Sequence, residues 1–332
     1  MAPAPDPDSP VAFVRKVGRG KTLSQDLSPP EARAAFSALL DGAFTPAQFG
    51  AFLQALRIKE LTQDELDALA GVAYGRLVRR DPLAGSRTLV LNLASDTARK
   101  GGLASVLALP LLRRLGVGAG VVRSTPVLSG NRKSFDAAWE AGADLEAALG
   151  SPAPGRAAPP PVIADCAELL PGLPALDRLR GELGFRSCLH TLEKLVNPWP
   201  GSPVVLGISH PHYALRMART MVALGLSGKI IMGNHGTPDL VLHKETALVA
   251  VAGEIREETI APAALGLELT DVYSLGKLPL WREWVAEGPA GPGAGLWRVL
   301  HYHVAFLLWA AGAATDPAAG LAAARAQLPT FF

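Results

Sequence analysis

The sequence is poor in cysteine: it has two, Cys166 and Cys188, at a separation that suits neither a metal site nor a disulfide framework. That usage fits a reducing compartment, and the cytoplasm is the expected location. No apolar run reaches the roughly 20 residues that cross a bilayer, so no membrane association is expected. The opening Met1-Ala-Pro-Ala-Pro-Asp-Pro-Asp8 lacks the basic start and apolar core of a signal peptide, and residues 1–10 read as a flexible tail. A dominant charge is missing too. The 32 Lys and Arg against 30 Asp and Glu leave a formal +2, so contact with nucleic acid would need a local patch. What is present in quantity is apolar: 49% of 332 residues, too much for a disordered chain and enough for one large domain or two ordinary ones.

The first eighty residues carry repeated helix starts. Ser28-Pro-Pro-Glu31, Thr45-Pro-Ala-Gln48 and Thr62-Gln-Asp-Glu65 each set a hydroxyl three residues before a carboxylate or amide, which is a capping box. Behind the second, Phe49, Phe52, Leu53 and Leu56 fall on one face; behind the third, Leu66, Leu69, Ala70 and Ala73 do the same. These spacings predict a small all-helical domain. Strand then alternates with helix: strand 88–93, helix 101–115, strand 120–123, helix 136–149. Residues 151–161 are proline-rich and read as a crossing between domains. A short helix over 176–183, strands over 204–208, 229–232 and 247–251, and helices over 212–224, 297–311 and 317–327 complete the pattern. The fold class is α/β: a helical domain plus a large domain with a central, mostly parallel sheet flanked by helices.

Gly18-Arg-Gly-Lys-Thr22 is not a nucleotide-binding P-loop, because Arg15 stands where the first glycine belongs and no strand precedes it. It is either a basic turn or a phosphate-contacting loop built from Arg15, Lys16, Arg19 and Lys21. His210 with His212, and His301 with His303, read as capping or half-buried histidines, since zinc needs further ligands in fixed geometry. Glu254, Glu257 and Glu258, with Arg256 among them, read as a solvated face. No metal ligands are assigned. Ala94-Ser-Asp-Thr-Ala-Arg-Lys-Gly-Gly102 follows a strand and opens a helix, where backbone N–H groups favour an anion and Arg99 and Lys100 add charge. The alternative is an ordinary turn. Ser129-Gly-Asn-Arg-Lys-Ser134 follows the next strand in the same way. Both loops fall at carboxyl ends of strands, where open α/β sheets bind ligands.

Phe44-Thr-Pro-Ala-Gln-Phe-Gly-Ala-Phe-Leu-Gln-Ala-Leu-Arg57, Arg180-Gly-Glu-Leu-Gly-Phe-Arg186, Leu195-Val-Asn-Pro198 and Thr259-Ile-Ala-Pro-Ala-Ala-Leu-Gly266 resemble segments of the anthranilate phosphoribosyltransferases, over about residues 11 to 330. The resemblance implies the nucleoside phosphorylase/phosphoribosyltransferase type of fold. It also implies a small domain of 11–80 joined by 165–195, a large domain of 81–164 and 196–332, and a homodimer through the helical domain. Those enzymes join anthranilate to phosphoribosyl pyrophosphate with magnesium. Arg180 matches their arginine for the anthranilate carboxylate, and Ser95, Asp96, Asn131 and Arg180 would form the remnant substrate site.

Several positions depart from the family pattern. The family's glycine-rich pyrophosphate loop is replaced by Ala94-Ser-Asp-Thr-Ala98, Ser129 stands where a histidine is usual, and Asp239 lacks the neighbouring carboxylate of the magnesium pair. Val17-Gly-Arg-Gly-Lys21, Leu56-Arg-Ile-Lys59 and Ser187-Cys-Leu-His-Thr-Leu-Glu-Lys-Leu195 resemble the YbiB-type branch, which implies binding of single-stranded DNA or RNA without marked sequence preference. On that reading Arg15, Lys16, Arg19, Lys21, Arg99, Lys100, Arg132, Lys133 and Lys194 contact phosphates, with Phe13 and Phe135 as candidate stacking residues. No catalytic residue and no cofactor is expected. Magnesium enters only if phosphoribosyl transfer to anthranilate or a related acceptor is retained.

Overall fold

The computed structural model describes residues 6–20, 22–94, 104–125, 132–152, 155–233, 236–240, 243–267 and 294–327. Four helices come first: α1 (Pro10–Val17), α2 (Pro29–Leu40), α3 (Pro46–Lys59) and α4 (Gln63–Tyr74). All three expected capping boxes are formed. Glu65 does more than cap: fully buried, it also accepts the Leu27 N–H at 2.9 Å and Lys59 Nζ at 2.6 Å. Ser9 accepts the Ala12 N–H, so α1 begins within the residues expected to form a tail. Phe13, Phe36, Phe49 and Phe52 fill the space between these helices.

The large unit is built on β1 (Arg87–Asn92), β2 (Val117–Arg123), β3 (Val162–Asp165), β4 (Val204–Gly207), β5 (Gly228–Ile231), β6 (Thr246–Ala252) and β7 (Glu254–Ile260). They form one sheet in the order β3-β2-β1-β4-β5-β6-β7. The pairs from β3 to β5 are parallel, and β6 and β7 add on antiparallel. β4 (Val-Val-Leu-Gly) is a continuous apolar strand buried throughout, as a sheet covered on both faces requires, and β5 is buried as well, Lys229 included. The connecting helices are α5 (Ala104–Leu107), α6 (Leu109–Arg114), α7 (Arg132–Ala148), α8 (Cys166–Leu169), α9 (Leu173–Glu182), α10 (Cys188–Leu195) and α11 (His212–Ala223). Two C-terminal helices, α12 (Ala294–Ala310) and α13 (Pro317–Gln327), pack on each other. Among the described residues no helix is long and apolar enough to cross a membrane.

The chain differs from expectation in several places. The single helix expected over 101–115 is broken after Leu107, because Pro110 has no N–H to bond back to the previous turn. Residues 155–161 do not cross between domains. Ala158 N–H bonds to Arg113 O at 2.9 Å, and the segment leads to β3 at the sheet edge. The chain then enters α8 to α10, of which α9 and α10 pack against α3, and α10 also against α4. α1, β3, α8, α10 and β7 were not expected as elements.

Four hydrogen bonds tie α4 and Leu61 before it to the end of α10, the turn after it and α11. Tyr74 Oη donates to Leu195 O at 2.7 Å and accepts the Asn197 N–H at 3.1 Å. Gln63 Nε2 on α4 donates to Thr220 Oγ1 on α11 at 3.0 Å, and Arg216 Nη1 donates to Leu61 O at 2.9 Å.

Candidate nucleic-acid interface

The strand order places a switch point at β1 and β4. They are parallel neighbours, but the chain proceeds from β1 to β2 on one side and from β4 to β5 on the other. Connections that diverge leave a crevice at the carboxyl ends of the two strands. A cleft of about 410 Å³ lies there, lined by Ala94 after β1, Ile208 to His210 after β4, the end of α3 and the face of α10. Its size falls in the roughly 300–1,000 Å³ span of small-molecule pockets.

Each charged group in the lining has a clear local origin. Arg57 ends α3, donates from Nη1 to the Arg186 carbonyl, and lies 5.5 Å over the Phe185 ring. Lys194, in the last turn of α10, donates to Gly207 O at 2.7 Å and to Gly236 O at 2.9 Å, tying the end of β4 to the segment after β5. Gly207 permits that approach: a Cβ there would sit 2.0 Å from Thr237 O. His190 accepts the Ser187 N–H at Nδ1, closing the cap of α10. Across the cleft, His210, His212 and Tyr213 follow one another at ring separations of 5.8 and 4.7 Å. Burial, followed by the charge of Glu60, pushes the Tyr213 hydroxyl up.

Arg180 does not line this cleft. Its guanidinium is buried against Glu193, which is also buried, with Nη1 and Nη2 at 3.2 and 3.0 Å from the two carboxylate oxygens. Nη1 also reaches Thr125 Oγ1 and Asp177 Oδ1. Desolvation opposes the charge on Arg180, but Glu193 and Asp177 outweigh it and hold the guanidinium above its usual value. Asn92, at the end of β1, stitches the same region, donating to Glu193 O and Val196 O at 2.9 Å and accepting the Ala94 N–H. Arg180, expected to face an acceptor carboxylate, thus faces an internal one.

Of the expected phosphate ligands, Arg15 and Arg19 are exposed at the end of α1. Lys16 is ion-paired with Glu31 at 2.6 Å, so part of its charge is answered within the domain. Arg132 and Lys133 open α7. Lys21, Ser95, Asp96, Arg99, Lys100 and Asn131 lie outside the described residues. Lys194 lines the cleft, although its ammonium is turned to backbone carbonyls. The two candidate stacking residues are core residues instead. Phe13 is on the face of α1 packed against α3, and Phe135 is stacked on Trp139 with Arg123 over its ring. His301 and His303 are buried in α12, bonded through Nδ1 to the carbonyls one turn back, as a structural role implies. Glu254, Glu257 and Glu258 lie on the edge strand β7. The residues that sequence reasoning did not single out are Arg57, Arg186, Tyr213, Asn92 and Glu193. A usable clue was a lone asparagine inside Leu-Val-Leu-Asn-Leu93, since a polar side chain in a buried strand needs partners.

Magnesium prefers oxygen ligands and retains much of its water. Asp239, the carboxylate that the resemblance sets against the family's magnesium pair, is 2% exposed and accepts the Ser105 N–H at 2.8 Å. His303 Nε2 lies 3.7 Å away and itself accepts the Leu240 N–H. Among the described residues no group of three or more His, Cys, Asp or Glu gathers as ligands. The described surroundings of Asp239 therefore do not fit magnesium.

Residues 11–74 match the helical bundle domain of a glycosyl transferase family. The chain is 31% identical over 264 residues to a protein of Aquifex aeolicus of no assigned activity, covering 78% of this chain and 79% of that one. It is 30% identical over 282 residues to an anthranilate phosphoribosyltransferase of Methylobacterium sp. (strain 4-46), covering 81% and 78%. In fold it is similar to the anthranilate phosphoribosyltransferase of Thermus thermophilus, with a TM-score of 0.69 at 21% identity over 96% and 94% of the two chains. The Saccharomyces cerevisiae enzyme in complex with phosphoribosyl pyrophosphate and magnesium gives a TM-score of 0.72 at 14% identity over 97% and 95%. The switch-point cleft, the helical unit beside it and these relatives agree: the chain belongs to the anthranilate phosphoribosyltransferase family.

Proposed function

We propose that this family member binds single-stranded DNA or RNA through the cleft at the switch point, in place of efficient phosphoribosyl transfer. The observation that carries the reading is the charge of the cleft: Arg57, Arg186 and Lys194 line it with His190, His210 and His212, against Glu60 alone among the described acids. Cations held along a groove track a phosphate backbone whatever its sequence. The commitment of Arg180 to Glu193 supports the same reading, because the group that would hold an acceptor carboxylate is spent inside the protein. So do the glycine-free Ala94-Ser-Asp-Thr-Ala98 and the solitary Asp239. Arg99, Lys100, Arg132 and Lys133, which follow the neighbouring strands in the sequence, are further candidate phosphate ligands. A homodimer through the helical domain, where Leu23 and Ile58 are 66% and 67% exposed, would double it.

The test is a titration of a labelled single strand at several salt concentrations. Affinity should fall with salt at a slope of about 0.7 per phosphate contacted. Absence of binding at low salt would sink the proposal. A second reading, transfer of phosphoribosyl from phosphoribosyl pyrophosphate to anthranilate or a related acceptor, is favoured by the activity named for the Methylobacterium relative. Turnover with both substrates and magnesium would establish it.

A further inference from the structure

The β4-to-α11 turn carries planar side chains of a kind and exposure that the fold does not require. His210 and His212 are exposed, Tyr213 is half-buried, and their rings run in sequence at 5.8 and 4.7 Å with interplanar angles of 39° and 48°. Behind Tyr213, the Arg216 guanidinium lies 5.8 Å from the ring centroid. Arg216 is itself fixed by Leu61 O at 2.9 Å and faces Glu60 at 3.8 Å, so the backing of the ring is rigid. His210, His212 and Tyr213 all line the cleft that also receives Arg57. A core explains buried aromatics. It does not explain two exposed rings and a half-buried third along a positively charged cleft.

We propose that this run is a base-stacking platform: a nucleobase of a bound single strand lies on the Tyr213 ring, with the tilted His212 ring against its edge, while its phosphates meet the cationic wall. This rests on the function proposed above and adds to it, since backbone binding alone needs no rings. Every base offers a π-face, so such a platform is tolerant of sequence. Arg57, over the Phe185 ring, supplies a planar cation in the same cleft.

The experiment compares fluorescence anisotropy of a labelled oligothymidylate with that of an abasic strand of equal length, for the wild type, Tyr213→Leu and Tyr213→Phe. Circular dichroism and melting of each variant check the fold. The platform predicts that the wild type prefers the oligothymidylate. Tyr213→Leu should lose roughly 5- to 100-fold on that strand and little on the abasic one, and Tyr213→Phe should restore the affinity. Equal binding of both strands by the wild type, or an equal loss on both in Tyr213→Leu, would overturn the platform and leave the phosphate-binding cleft standing. Failure of the wild type to bind either strand at low salt would overturn both.

Discussion

Arg180 and Glu193 form an ion pair whose two side chains are both removed from solvent. Such a pair stabilises little over an apolar one, but breaking it strands a charge. Arg180→Met should therefore destabilise the fold by about 3–5 kcal/mol in urea denaturation, and Arg180→Met with Glu193→Leu should recover most of that loss. A single variant no less stable than the wild type would show that Glu193 is not left buried. The histidines of α12 act through pH. Burial holds His301 and His303 below the ordinary imidazole value of 6.5. The unfolded chain takes up protons there that the folded chain refuses. Their contribution is complete above about 6.5 and is lost as pH falls below it. The urea midpoint should drop between about pH 7 and about pH 5, and less in His301→Phe. Burial also pushes the Cys188 thiol up to about 12, so thiol reagents should label the native chain slowly at neutral pH.

At the level of elements, the capping boxes show how local chemistry sets the helical unit. The Glu31 carboxyl is held down to about 2, first by its hydrogen bonds from Lys16 and then by those from Ser28. A depressed carboxyl contributes stability above its unfolded value of 4.5, and that contribution fades as pH falls toward about 2. Glu31→Gln should cost about 1 kcal/mol near neutral pH, and the difference from the wild type should close in acid. The boxes were legible because a hydroxyl and a carboxylate or amide sit within four residues, with proline between them in the first two. β7 was not legible: Glu254-Ile-Arg-Glu-Glu-Thr-Ile260 carries the charges that protect a sheet edge, and these hide its strand character. The break between α5 and α6 was written in Pro110, although the apolar pattern runs through it. Trp199 against Gly120 is a contact that no local pattern announces. A Cβ at Gly120 would lie 2.6 Å from the indole, so Gly120→Ala should destabilise by about 1–3 kcal/mol and lower the melting temperature.

At the scale of the whole molecule, the cleft exists because strand order diverges at β1 and β4 and because α10 returns to the helical unit beside them. Its residues come from distant parts of the chain: Arg57, Arg186 and His210 share no run and no spacing. Sequence reasoning finds basic residues in clusters, so it favoured Arg15 to Lys21. Resemblance added Arg99, Lys100, Arg132, Lys133 and Lys194 from other segments, but no spacing joined Arg57, Arg186 and Tyr213 to them. Family resemblance supplied the architecture, and the departures at Ala94-Ser-Asp-Thr-Ala98 and Asp239 supplied the doubt about transfer chemistry. What remained for the structure was where charge and rings meet. Photo-crosslinking of a 4-thiouridine-containing single strand, followed by peptide mapping, tests that meeting point most directly. Adducts are expected in the peptides that carry Arg186 to Lys194 and His210 to Arg216. Adducts confined to other surfaces, with these peptides unmodified, would contradict it.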